Sequence, residues 1–413
     1  MRMAVNVTSE IGRLKEVLVH QPGAELLAVT PSTRADYLYD DIIELNRAVR
    51  EHGQFTAVLE RFAKVHRVSD LLAEALSDRD RRETMIRETL AIISSEPLSR
   101  ELQQLEPHAL VKTLIEGREE MPGQLTRTLN ETGYMLPPLP NLFFTRDVAM
   151  AINQHVMIGS MRYGVRWTAE LIMKAIFRYN DRVASKGILY DGSAEHRMNY
   201  TLEGGDVHPL RRDTLVIGFS ERSSPAAIDN LANVVFAETE VTDLIVVIMP
   251  GARTAIHLDM IFTQVDRELC VVHPPHFMGP ERLPILHWKK STGSMRETQG
   301  IFRALEECGM RMEPILCGGD RRIVQEREQW SSGCNFLALR PGLVVSYSRN
   351  EATLREMEKT GFRIVPAHKF LDGTEQIRED ERAVITFDGG ELVRGGGGAR
   401  CMTCPTIRDD PWE

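Results

Sequence analysis

Residues Phe336–Tyr347 read FLALRPGLVVSY, two short β-prone runs, Phe336–Leu339 and Leu343–Tyr347, separated by Arg340-Pro341-Gly342. Proline presets φ in a turn and glycine accepts the conformation that follows, so the stretch predicts a hairpin. Directly after it, Glu351–Thr360 carries helical spacing. The same grammar recurs upstream. β-rich runs fall at Val148–Ile158, Thr214–Phe219, Leu244–Met249 and Leu269–His273, with amphipathic helices at Arg166–Tyr179, Ala226–Ala237 and Glu297–Cys308. Strand pairs alternating with helices define an α/β chain. No repeat of short period accompanies them, so any internal symmetry belongs to the structure alone. The N-terminal part opens similarly, with a strand at Leu14–His20, a Gln21-Pro22-Gly23 turn, a helix over Tyr37–Lys64 broken near Gly53, and a second strand at Val65–Val68.

One region follows a different pattern. Between Gln54 and Glu116 there is no glycine, and only Pro97 and Pro107 interrupt a run rich in Leu, Ala, Glu and Arg. Apolar residues recur there at helical intervals, as in Leu71, Leu72, Ala75 and Leu76. This predicts a small helical bundle inserted at about 70–132, returning to the main body through Leu136–Pro140.

The chain has 413 residues, 42% hydrophobic and 26% charged, the balance of a soluble globular protein. A formal net charge of −9 argues against nucleic acid or an anionic membrane as partner. No apolar run approaches the roughly 18 residues of a membrane span. Glu10, Arg13, Lys15 and Glu16 leave no apolar signal-peptide core near the N-terminus. Six cysteines without secretion signals fit a reducing compartment, so the expected location is the cytoplasm.

The chemistry concentrates in a few strings. Gly395–Pro405 reads GGGGARCMTCP, a glycine run that lets backbone approach a ligand closely and presents Cys401 beside basic Arg400, which favours a thiolate. Polar residues also stand beside β-rich runs in Asn141–Asp147 (NLFFTRD), Glu203–Asp206 (EGGD), Ser220–Ser223 (SERS) and His257–Asp259 (HLD). Singly, EGGD reads most simply as a turn and HLD as a surface or satisfied loop histidine, while FTRD reads as a strand-ending salt bridge as readily as a site. Together they supply a nucleophile, Cys401, a general acid/base, His257, and a carboxylate to orient it, Glu203. Asp147 and Asp259 remain. Two carboxylates beside a thiol disfavour the thiolate unless the substrate is a cation, and a planar guanidinium offers forked donors to both. Cys401 and Cys404 also form a CMTC string, but no helix follows as in a redox motif. For structural zinc, Cys308, Cys317, Cys334, His273 and His276 lack finger spacing. No GK[ST] follows the glycines, so they are not a phosphate loop.

These residues resemble the bacterial arginine deiminase family from end to end: SEIGRLKEVLVHQPG, LYDDI, PNLFFTRD, MRYGVR, EGGDV, IGFSERS, IHLD, QWSSGCNFLALRPG, SYSRN and GARCMTCP appear in order. The resemblance implies a single catalytic domain over 1–413, a five-bladed α/β propeller (pentein) of ββαβ-type units with the helical insertion. It implies hydrolysis of L-arginine to citrulline and ammonia through a cysteine thiouronium, with no cofactor and no metal. Carried onto this chain, Cys401, His257, Glu203, Asp147 and Asp259 are catalytic, while Asn141, Phe144, Arg166, Arg222 and Arg400 bind substrate. Paired arginines for an α-carboxylate favour arginine over agmatine. A homo-oligomer, dimer or tetramer, is expected. An amidinotransferase or a deiminase of a related guanidino compound shares this inventory, and a non-catalytic arginine-binding protein would lack the thiol or the histidine. The chain departs from the family pattern at Val148 and in the WTAE that follows Arg166.

Overall fold

The computed structural model describes residues 5–93, 96–120, 123–129, 133–194 and 199–413. The hairpin that opened the reading forms as expected. Leu337–Arg340 pairs antiparallel with Leu343–Tyr347, Arg340 stands opposite Leu343, and Gly342 turns the chain at φ 74.

Among the described residues, five sheets obey one pairing rule: an antiparallel strand pair takes a further strand in parallel after a helical crossover. Ala149–Ile152 pairs His155–Ile158, which takes Ile188–Asp191 across the helix Trp167–Tyr179. Val207–Arg211 pairs Thr214–Phe219, which takes Asp243–Ile248 across Pro225–Glu238. Phe262–Gln264 pairs Leu269–Val272, which takes Glu313–Leu316. Leu343–Tyr347 takes Ala383–Phe387, and that strand takes Arg363–Pro366. The fifth sheet is assembled from both ends of the chain: Cys404–Arg408 pairs Leu14–Val19, which takes Lys64–Arg67 across Leu45–Glu60. Parallel neighbours cannot be joined by a tight turn, which is why a helix separates each such pair. The inner strands Thr214–Phe219, Asp243–Ile248, Leu343–Tyr347 and Ala383–Phe387 are buried along nearly their whole length, so their sequences run apolar and do not alternate, whereas outer strands such as Lys64–Arg67 and Arg363–Pro366 are only partly buried.

The glycine-free region carries the helices Val68–Ala75, Arg79–Ile92, Glu96–Gln103, Pro107–Glu116 and Gln124–Leu129. Leu71, Leu72 and Leu76 share one buried cluster with Ile172 and Ile176 of the crossover helix Trp167–Tyr179. The end of the predicted insertion, 130–132, lies outside the described residues, as do 94–95 and 121–122.

Three expectations need correction. The helix placed over Tyr37–Lys64 starts at Leu45, where the Glu44 side chain accepts the Asn46 and Arg47 N–H groups, and it runs through Gly53 unbroken. Buried Phe55, Val58 and Leu59 outweigh the roughly 1 kcal/mol propensity cost of that glycine. Val148–Ile158 is a hairpin turning at Asn153, whose φ is 51. The start of the predicted helix Glu297–Cys308 belongs to the strand Ser294–Thr298, and the helix begins at Ile301 after Gly300 at φ 108. No described helix is long and apolar enough to cross a membrane.

Candidate active site

Each of the five sheets delivers a loop from just ahead of its leading strand. Asp147 lies in the short helix Thr145–Val148 before Ala149–Ile152. Glu203 heads the turn Gly204–Asp206 before Val207–Arg211. His257 and Asp259 bracket the start of the turn Leu258–Met260 before Phe262–Gln264. Asn335 precedes Leu337–Arg340, and Cys401 precedes Cys404–Arg408. Glycine is needed where these loops touch. A Cβ on Gly205 would lie 2.5 Å from His257 Nδ1, and one on Gly397 would lie 2.5 Å from Phe144 Cε1.

The five loops meet in one hydrogen-bonded cluster. His257 Nε2 lies 2.8 Å from Glu203 Oε2, and its Nδ1 lies 3.7 Å from Asp147 Oδ1. Cys401 Sγ lies 3.4 Å from Asp259 Oδ2 and accepts from Asn335 Nδ2 at 3.1 Å. Asn335 Oδ1 accepts in turn from the Arg400 and Cys401 N–H groups at 2.9 and 3.3 Å, fixing the backbone on which the thiol stands. Asp206, inside EGGD, accepts from the Ser220 and Ser223 hydroxyls, both at 2.6 Å, and from the Leu258 N–H at 2.9 Å. That carboxylate ties SERS and HLD to EGGD.

The arginines divide into two groups. Arg166 donates to Asp147 Oδ2 at 2.8 Å and stands 3.7 Å from Glu203 Oε2. Arg222 lies 3.4 Å from the same Glu203 oxygen, with its guanidinium 4.8 Å from the centre of the Tyr163 ring. Both line the cavity over the thiol, along with Asn141, Phe144, Asp147, His257 and Cys401. Arg400, expected among the substrate contacts, does not line it. Its guanidinium is fully enclosed, donating to Asp259 Oδ2 at 2.8 Å, to Glu10 Oε1 at 2.9 Å and to the Val207 carbonyl at 2.8 Å. Arg394 pairs with Asp41 at 2.8 Å. In the WTAE segment, Glu170 accepts the Met161 N–H and Trp167 donates to the Met161 carbonyl, bracing the MRYGVR loop.

Charge in this cluster is strongly perturbed. Burial alone would discharge His257, but Asp147, the Glu203 hydrogen bond and Asp206 outweigh it and lift the imidazole to about 9. Glu203, despite burial, is held down to about 2 by Arg222, His257 and Arg166. Burial raises Asp206 to about 6. Cys401 is pushed well above the ordinary thiol range by burial, then by Asp259 and Asp147. Arg400 pulls the other way, as its position in the sequence suggested, and loses. At neutral pH the pair is therefore thiol and imidazolium. Asp147 Oδ1, Asp259 Oδ1 and Asn141 Oδ1 are buried acceptors without a hydrogen-bond partner among the described residues. The cavity itself holds about 20 Å³, room for one water. Arg166 and Gly395, Gly396 and Gly397 of the glycine run form part of its wall.

The donor atoms of Asp147, Glu203 and His257 lie close enough to gather a metal ion, but Arg166 and Arg222 already neutralise that carboxylate pair. Asn335, Asp206 and Glu10 escaped the sequence reading as site residues. Asp206 lay within the EGGD string without being given a role, and Asn335, like the other loop residues, stands just before a strand.

A family model described as arginine deiminase matches residues 35–408. An arginine deiminase of Treponema denticola is 33% identical, over 98% of this chain and 99% of that protein. Among solved structures, unliganded AgrE superposes with a TM-score of 0.53 at 14% identity, over 97% of this chain but 40% of that longer one. An amidinotransferase of Microseira wollei from saxitoxin biosynthesis gives a TM-score of 0.53 at 14% identity, over 98% and 97% of the two chains. The family model and the 33% identical relative make this chain a hydrolase of guanidino C–N bonds, on the mixed α/β frame that the solved structures share. Within that class, the chain belongs to the arginine deiminase family.

Proposed function

We propose that this chain hydrolyses L-arginine to L-citrulline and ammonia, with Cys401 as nucleophile. The observation that carries this reading is the pair of carboxylate oxygens without a hydrogen-bond partner among the described residues, Asp147 Oδ1 and Asp259 Oδ1, flanking a thiol that burial, and after it their own charges, hold protonated. A guanidinium satisfies both and cancels their charge, so binding lowers the thiol's pKa and its proton leaves to solvent, giving the thiolate. Cys401 Sγ then attacks the guanidinium carbon. His257, protonated by virtue of its raised pKa, gives its proton to the departing nitrogen, which leaves as ammonia. The same imidazole takes a proton from water, which attacks the thiouronium and frees citrulline and the thiol. Glu203 orients His257 through the 2.8 Å contact.

Arg166 and Arg222 hold the α-carboxylate in this reading, with Asn141 and Phe144 as walls. Arg166 must first leave Asp147, so the substrate guanidinium takes the place of the enzyme's own. The placement of Arg400 supports orienting Asp259, in place of the substrate contact expected for it. The uniform pairing rule of the five sheets supports a five-bladed propeller, a single domain over 1–413 with the helices of about 70–132 as an insertion. A homo-oligomer in the cytoplasm, using no nucleic acid or membrane partner, completes the reading.

The test is to incubate the protein with L-arginine, with and without an amine acceptor, and to quantify citrulline and ammonia. Equimolar products from the wild type, none from a folded Cys401→Ser protein, and no amidino transfer to the amine are expected. Turnover by Cys401→Ser would remove that residue from the mechanism.

A further inference from the structure

A second cluster of reactive side chains lies where the strands Asp243–Ile248 and Ile285–Lys289 meet the end of the helix Ile301–Glu307. The two strands pair antiparallel, with Ile245 opposite His287, and Cys308 caps the helix. His287 is fully buried. Its Nε2 lies 2.7 Å from Asp243 Oδ1 and 3.6 Å from Cys308 Sγ, so a carboxylate and a thiol address the same ring nitrogen. Nδ1, on the far side of the ring, faces Glu307 Oε2 at 3.5 Å. Arg303 and Arg296 hold that glutamate in place.

An aspartate–histidine pair alone is a common structural device and needs no third member. Here the three donor atoms converge, all within 4.8 Å of one another. They are oxygen, nitrogen and sulfur, the mixture that a borderline-soft ion prefers. Tetrahedral bonds of about 2.0–2.3 Å imply donor separations of roughly 3.3–3.6 Å. The sulfur–nitrogen spacing already meets that range, and the oxygen–nitrogen spacing needs to open by several tenths of an ångström. A carboxylate behind the second ring nitrogen is the usual means of fixing a ligating histidine's tautomer. The Asp243 side chain is 20% exposed, which gives an ion a route in.

We propose that Asp243, His287 and Cys308 form a binding site for a divalent ion of the zinc class, with Glu307 steadying His287 and water completing the coordination. On binding, the Cys308 S–H bond breaks, a sulfur–metal bond forms and the proton leaves to buffer. Burial, with Asp243 adding to it, pushes that thiol up to about 12, so the ion must displace a held proton. The site clips two strands to a helix end, in the sheet whose leading strand Val207–Arg211 follows the Glu203 turn. Its ligands stand 44 and 21 positions apart in the chain, which is why cysteine spacing gave no hint of it.

The experiment titrates Co²⁺ into full-length Cys401→Ser protein, so that the active-site thiol is silent, and follows thiolate-to-cobalt charge-transfer absorption. Equilibrium dialysis against Zn²⁺ counts bound ions. The expected result is about one ion per chain with a sulfur band, and a Zn²⁺-dependent rise in melting temperature. Adding Cys308→Ser should abolish the band and the rise, while Cys308→Ser alone should leave citrulline formation unchanged. If Cys308→Ser fails to fold, Asp243→Asn serves instead and should weaken binding at least tenfold. Absence of a bound ion in the parent, or a band unchanged by either substitution, overturns the proposal.

Discussion

His257 sets the pH response of the site. With its pKa raised to about 9, the imidazole is protonated at neutral pH and loses its proton as pH rises through that value. If it acts as the acid that protonates the leaving nitrogen, kcat/KM should fall on an alkaline limb near 9. Glu203→Gln removes one of the charges that raise that pKa, so the limb should move to lower pH, along with a loss of rate. A limb that stays in place would assign it to another group. Arg166 makes a separable prediction. Replacing it by glutamate would crowd a further carboxylate against Asp147 and Glu203, so Arg166→Gln is the cleaner probe. One charged hydrogen bond to the substrate carboxylate contributes about 1.5–3 kcal/mol. KM for L-arginine should therefore rise roughly ten- to a hundredfold, with agmatine spared, and equal losses for both ligands would show that Arg166 does not read the carboxylate. Asp147, Glu203, His257, Asp259 and Cys401 could be picked out in the sequence because a charged or nucleophilic group before an apolar strand is costly without a purpose. Asn335 was hidden because an amide beside glycine and cysteine reads as an ordinary turn. Arg400 was visible but misread, since its distant partners Glu10 and Asp259 are set by the fold and not by sequence proximity.

At the scale of elements, function depends on how tightly neighbouring loops pack. The turn Gly204–Asp206 passes so close to His257 that an alanine Cβ at position 205 would stand 2.5 Å from the ring. Gly205→Ala should therefore displace the imidazole and lower kcat by about a hundredfold, the scale of an ångström-sized misplacement. The protein should remain folded, with its circular dichroism unchanged. Full activity in that variant would mean that the loop yields and that His257 is not held by it. Hairpins with proline–glycine turns and strongly apolar strands were readable because turn chemistry and burial agree there. Ser294–Thr298 was not. It is an exposed edge strand with only Ile285–Lys289 beside it, so its polar sequence carries no strand period and merges with the helix that follows.

Across the whole molecule, five sheets share one pairing rule although no sequence repeat accompanies it, because hydrogen-bond topology constrains burial and turn length far more than residue identity. The chain's two ends meet in a single sheet. Cys404–Arg408, buried throughout, pairs with Leu14–Val19, and Asn6 adds bonds to Thr406 and Arg408 at 2.8 Å each. The Arg408 guanidinium donates to the Gly12 and Ala338 carbonyls at 2.6 and 2.8 Å, joining that strand to the sheet of Leu337–Arg340. Cys401 thus stands just before the strand that joins the ends. A chain stopped after Thr403 keeps the nucleophile and every other site residue but loses this strand. Each large buried side chain removed forfeits about 1.5–3 kcal/mol, and each ladder hydrogen bond about 1 kcal/mol. The sum is comparable to the roughly 5–15 kcal/mol that holds a typical domain together. The truncated chain should lose both citrulline formation and a cooperative thermal transition. If instead it melts like the full chain and is merely inactive, the strand positions Cys401 without holding the fold closed; if it melts and turns over normally, the joining of the ends serves neither purpose.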